Sequence, residues 1–244
     1  MKARCVLLLP VACLTLFGSG PEQKRLEIQT ILSMSFAPDG EVLIQGSFGE
    51  LELEGWDRSE VEITLTKGTR KKYSLDDQEK ALAFLNSVEV TAAGQNANRL
   101  VISTSFPDRS LFTRPLRGKS NIELSYKIKM PRQVKLSIEH DTGEVRVKNI
   151  AGDIKATVRI GQISMRVPEN ENYTINASVR LGEVESDFRG RSGRKFLSER
   201  FVSDESRGMR NIYARVGIGQ INIRKMQASA PSKRRELLAL TEFR

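Results

Sequence analysis

Polar and apolar residues alternate along most of this chain. Val61, Ile63 and Leu65 fall on one parity, and Glu60, Glu62, Thr64 and Thr66 on the other. Ile122, Leu124, Tyr126, Ile128 and Met130 alternate with Glu123, Ser125, Lys127 and Lys129. The rhythm returns at Val134, Leu136 and Ile138, and at Ile175, Ala177, Val179 and Leu181. A period of two sends successive side chains to opposite faces of a strand, so each segment reads as a strand with one buried and one wet face. One stretch departs from this. Asp76-Asp77-Gln78-Glu79 is followed by Ala81, Leu82 and Leu85 at helical spacing. That predicts one short helix over 76–87, with Ser74 or Asp76 as its cap.

A phrase recurs within the alternation. VRIGQI at 158–163 returns as VRLGEV at 179–184 and as VGIGQI at 216–221. In each copy the apolar spacing slips by one residue around a glycine. Gly161, Gly182 and Gly219 can take a positive φ at little cost, so the phrase predicts a corner at which the chain turns and both flanking strands keep their apolar residues inward. A looser form, glycine then any residue then an aliphatic, adds Gly143 and Gly152, nine residues apart and nine before Gly161. The intervals predict coils of 18–21 residues, each with two strands and two glycine corners, interrupted by an insertion between Gly182 and Gly219. Two all-β architectures accommodate this: a β-solenoid or β-roll with parallel stacking, and an antiparallel meander or sandwich in which Gly-Gln and Gly-Glu are hairpin turns. Glycines nine apart leave short strands, which favours the solenoid.

The strands at 36–67 (FAPDGEVLIQGSFGELELEGWDRSEVEITLTK), the helix, IELSYKIKMP at 122–131 and the glycines from Gly143 onward together resemble a bacterial adhesin family, auto-transporter adhesin-like and of undetermined function. The resemblance implies an exported β-solenoid protein of the cell envelope and implies no catalytic residues. This chain departs from it by an Arg/Gly/Ser-rich insertion at 189–210.

Composition and termini add location and charge. MKAR, an apolar run from Val6 to Phe17 and Gly18-Ser19-Gly20 read as a signal peptide over 1–20. The run is too short to span a bilayer. LPVAC resembles a lipobox, which makes Cys13 a lipidation candidate. Cys5 and Cys13 are the only cysteines, so the body at 21–227 has no disulfide framework and no thiol nucleophile. Residues 228–244 form a basic tail. The formal charge of +9 becomes +7 without Lys2 and Arg4. Export and scarce aromatics argue against nucleic acid as a partner.

Candidate chemistry is thin. His140, the sole histidine, adjoins Asp141, and no nucleophile-elbow motif accompanies the pair. Glu144, Asp153 and Glu183 flank the corners without a glycosidase pair being legible. The nonapeptide calcium pattern is missing, so no metal and no cofactor are expected. Arg189, Arg191, Arg194, Lys195 and Arg200 form the candidate anion contact, although Glu199, Asp204 and Glu205 dilute it toward an ordinary solvated loop. The sequence thus predicts a non-enzymatic, exported envelope module, structural or adhesive. Its expected partner is an envelope protein or an anionic polysaccharide or lipid, with the membrane reached only through a lipid anchor. The alternatives are an accessory of envelope-stress signalling and, less favoured, a carbohydrate-active enzyme.

Overall fold

A computed structural model describes residues 25–96, 98–105, 122–169, 171–204 and 208–226. The signal peptide, Cys13 and the basic tail lie outside the described residues. The elements in chain order are β1 (Glu27–Ser35), β2 (Glu41–Trp56), β3 (Glu60–Thr69), α1 (Leu75–Asn86), β4 (Glu89–Asn96), β5 (Arg99–Ser105), β6 (Ile122–Pro131), β7 (Lys135–Lys148), β8 (Ile154–Pro168), β9 (Tyr173–Ser186), β10 (Gly190–Lys195), β11 (Ser198–Ser203) and β12 (Arg210–Met226). The fold is all-β and β-solenoid-like, with one short helix.

The strands form one open sheet in the order β1-β3-β6-β2-β7-β8-β12-β9-β11-β10, with β5 and β4 branching from the first half of β2. From β2 to β9 the pairing is parallel and in register: Gly49 opposite Gly143, Gly143 opposite Gly161, Gly161 opposite Gly219, and Gly219 opposite Gly182. The antiparallel meander is therefore excluded for these coils. Ile160 stands beside Thr142 and Ile218, and not opposite Ile163.

Each coil is one long strand bent once at its glycine, where the sequence predicted two short strands and two corners. Gly143, Gly161, Gly182 and Gly219 have φ of +135° to +141° and Gly49 has +95°. Gly152 is not among the positive-φ residues. It lies in the connection between β7 and β8, where a Cβ would sit 2.0 Å from the Val134 carbonyl oxygen. Its requirement is close packing of one coil on the previous one. Glycines nine apart thus mark one corner and one return, giving a true period of 18.

The core fills one face of both arms. On the first arm the rows include Leu136, Ile154, Ile212 and Ile175; on the second, Val145, Ile163, Ile221 and Val184. Each buried aliphatic contributes roughly 2 kcal/mol, and a slip of one residue would turn a whole row outward, so these rows fix the register. Residues 189–210, expected to be irregular, contain the antiparallel hairpin β10–β11, which extends the sheet from β9. Phe201 roots this hairpin in the core. The hairpin accounts for the long interval before the third copy of the phrase, and β12 then returns to lie between β8 and β9.

At Gly161 a Cβ would lie 1.8 Å from the Gly143 carbonyl oxygen. Gly161→Val is expected to cost about 4 kcal/mol or more in thermal or denaturant unfolding. Gly94→Ala, where a Cβ meets nothing within 4 Å, should stay within about 0.5 kcal/mol. Equal effects at the two positions would contradict the corner assignment.

Candidate functional site

The bend lays three rows across the coils. The glycines form the middle row. On one side stand Phe48, Thr142, Ile160, Ile218 and Leu181; on the other, Glu50, Glu144, Gln162, Gln220 and Glu183. These rows line a groove of about 800 Å³, with Leu124, Glu123 and Arg70 lining it at the β6 end. Five strands at ~4.8 Å spacing make the groove about 19 Å long.

The apolar row corrects the inward expectation for all three phrases. Val158, Val179 and Val216 are buried before the corner, and Ile163, Val184 and Ile221 after it. The residue just before each glycine faces out. Leu181 keeps 40% of its surface exposed and Ile218 48%, and Ile160 is half-buried. The positive φ resets the pleat, so inside positions resume two residues beyond the glycine and leave the flanking pair outside.

The polar row is held by ion pairs at its ends. Arg146 bonds the Glu144 carboxylate through Nε at 2.7 Å and through a second nitrogen, and its Nη1 lies 3.6 Å from Glu50. Hydrogen bonding to Glu144 is the main reason its guanidinium is held above its ordinary value. At the other end Arg194 stands 3.5 Å from Glu183 and 3.6 Å from Glu199. The centre, Gln162 and Gln220, is uncharged. Asp153 is not part of the row; its carboxylate accepts the Asn211 backbone N–H at 2.8 Å.

The anion candidates separate. Arg194 is turned to the two carboxylates. Arg189 lies just before β10, where its carbonyl accepts the Asp204 N–H at 3.1 Å. Lys195 and Arg200 join Arg159, Arg180 and Arg215 around a second cleft of about 680 Å³, and Arg191 is exposed one row further along the same face. Gly217 stands in the strand position that Arg159 and Arg180 occupy on either side, leaving a recess between them. Arg159, Arg180 and Gly217 were in plain view as the second letters of VRIGQI, VRLGEV and VGIGQI. Gly49 was missed as a corner although Gly49-Glu50-Leu51 fits the same pattern.

Strand alternation parts His140 from Asp141. Asp141 faces out, 3.4 Å from Arg159. His140 is 3% exposed, in the row of Val158 and Val216, and its Nδ1 lies 2.7 Å from the Ser47 hydroxyl. Among the described residues its Nε2 has no hydrogen-bond partner, and it lies under the Gly143 corner. Ser47 is equally buried, so this pair presents no oxygen to a substrate. Burial pushes the imidazole down to about 4, against the opposing pull of peptide groups at Gly49 and Thr142 and of the Asp141 charge.

The sequence model of the Toastrack family, DUF4097, matches residues 40–224, a span that holds all five corner glycines. The chain belongs to the Toastrack DUF4097 family. A crystal structure described as a "putative cell adhesion protein" from Clostridium sporogenes ATCC 15579 is similar over 83% of this chain and 100% of its own, at 14% identity and a TM-score of 0.47. Among curated proteins none matches. The Toastrack assignment covers all but the first four residues of the segments on which the adhesin-like resemblance rested, and it carries no auto-transporter function with it.

The buried imidazole makes a pH prediction. The folded value lies below the unfolded 6.5, so the unfolded chain takes up a proton that the fold refuses. This contribution to stability is complete above about pH 6.5 and is lost as pH falls toward 4. Unfolding curves of the native chain and His140→Gln should converge by about 3 kcal/mol across that window. Parallel curves would show that His140 is not held neutral.

Proposed function

We propose that this Toastrack protein is a non-catalytic, exported module of the cell envelope that holds a partner along the corner groove. The observation that carries the reading is the exposed apolar row. Soluble surfaces scatter their aliphatics singly, whereas Ile160, Ile218 and Leu181 stand in adjacent strands over a floor without side chains. Such a floor lets a partner approach the backbone closely. Family membership and the bent β-solenoid-like sheet fit a non-enzymatic structural module. The buried Ser47–His140 pair and the arginine-tied Glu50 and Glu144 offer no exposed, unengaged catalytic pair.

Retention of envelope fractions on the immobilised full chain tests the reading. Leu181→Glu with Ile218→Glu should lower retention about tenfold while melting stays within about 0.5 kcal/mol of the native chain, since both side chains are already exposed. Undiminished retention by a folded variant would remove the groove from the function.

A further inference from the structure

The groove has two unlike ends. At the β2–β7 end Glu50, Glu123 and Glu144 stand with Arg70 and with Arg146, which pairs with Glu50 and Glu144. At the β9 end the apolar row continues onto the hairpin tip: the Gly182 N–H donates to the Leu197 carbonyl at 3.3 Å, which sets Leu197 beside the corner. Leu197 is 68% exposed and its neighbour Phe196, at φ +54°, 91% exposed. A phenyl ring presented almost wholly to water on a two-strand tip has no packing role in the fold.

Cations flank this apolar end on one side. The outward residues of the first arm are Lys155, Thr157 and Arg159 on β8, Tyr213, Arg215 and Gly217 on β12, and Asn176, Ser178 and Arg180 on β9. The hairpin adds Arg200 and Val202 on β11, and Arg191 and Lys195 on β10. No carboxylate occupies any of these positions. Asp204 borders them beside Arg191 and Arg200, Glu199 lines the cleft but stands 3.6 Å from Arg194, and Asp153 accepts the Asn211 N–H just before β8. Acids resume on β7 with Glu139 and Asp141. Among the described residues only Arg159 of these cations has a carboxylate within ion-pair distance. Arg215 lies over the Tyr213 ring at 4.7 Å, and the Arg200 Nε donates to the Asn176 side-chain oxygen at 3.3 Å. On the carboxylate side of this end, Gln162 and Gln220 are neutral and Glu183 is offset by Arg194.

We infer that the partner at this end of the groove is an anionic lipid surface, with Phe196 and Leu197 entering the headgroup boundary and the cations of the first arm on the lipid phosphates. The inference rests on the groove reading above and names its partner. Charge complementarity selects an anionic surface. The exposed Phe196–Leu197 tip, continuous with Leu181 and Ile218, selects lipid over a hydrated polymer, which would leave the ring in water. Each cation brought to such a surface strengthens binding about fivefold, and burying one large apolar side chain about tenfold or more.

The test is co-sedimentation of the full chain with phosphatidylglycerol/phosphatidylcholine vesicles and with phosphatidylcholine alone. Binding should require the anionic lipid and weaken with salt. Phe196→Ser with Leu197→Ser should weaken it about tenfold or more without changing its salt dependence. Arg180→Gln with Arg215→Gln should weaken it about twentyfold or more and flatten the salt dependence. Lys127→Gln with Arg166→Gln, the same charge change on the second arm, should have little effect. All variants remain in the full chain, so its N-terminal segment contributes equally to each. Equal binding to both vesicles, an unaffected tip variant, or an equal loss from the second-arm pair overturns the inference. So does displacement by polyphosphate that leaves the tip variant indistinguishable from the native chain. If vesicles fail while envelope retention still depends on Ile218 and Leu181, the lipid assignment falls and the groove reading stands.

Discussion

Five carbonyl groups govern this protein. At each corner the carbonyl oxygen of one glycine occupies the space a Cβ on the next would need. Such a Cβ at Gly143, Gly161, Gly219 or Gly182 would lie 1.6–1.9 Å from the neighbouring oxygen. The row ends at Gly49, where a Cβ would come within 2.2 Å of the Leu124 carbonyl. Each glycine is thus required twice, by its own positive φ and by the approach of its neighbour. A side chain at any one of them must displace the carbonyl of the next coil, which belongs to a hydrogen-bonded ladder. The corner is a property of the stack more than of any single turn.

The surfaces follow from that stack. Because coils meet in register, a residue type repeated at one position of the phrase becomes a row. The row before the glycines is apolar apart from Thr142, the row after them acidic and amide, and the row before the apolar one is, over the three phrases, arginine, glycine, arginine. The two arms then differ in electrostatic character. On the second arm acids and bases answer one another across strands: Lys148 with Glu54 at 3.2 Å, Lys129 with Glu62 at 3.0 Å, and Arg224 with Glu185 and Asp187 at 2.8 and 2.6 Å. Hydrogen bonding from Arg224 is the main reason the Asp187 carboxyl is held below its ordinary value. On the first arm, from β8 outward, the cations have few answering acids. Unanswered positive charge therefore concentrates on the first arm, while the second arm is largely self-neutralised.

Strand parity was legible because a half-buried sheet imposes it residue by residue. The buried rows Val158, Ile163 and Met165, or Ile128 and Met130, could be read directly. Glycine corners were legible as phase slips. The outward turn of Ile160, Leu181 and Ile218 was not, because parity counts residues and cannot see a φ near +140° rotating the pleat. Nor could sequence order place β12. The third copy of the phrase comes last in the chain yet stacks between the first two, since the β10–β11 hairpin occupies the outer edge of β9. The arginine-rich insertion looked irregular for a related reason. Gly190, Ser192 and Gly193 mask its alternation, and only Phe201 and Ser203, buried against the sheet, reveal it. Arg159, Arg180 and Arg215 could be joined to Lys195 and Arg200 only once that register was known.

Glycine-selective isotopic labelling with NMR measurement of α-proton to amide-proton contacts between the corners tests this arrangement most directly. Gly219 is predicted to contact both Gly161 and Gly182, with no contact between Gly161 and Gly182 themselves and none from Gly152 to any of them. A direct contact between Gly161 and Gly182, with Gly219 at the outside, would mean that the coils stack in sequence order. The carbonyl ladder and the rows built on it would then have to be abandoned.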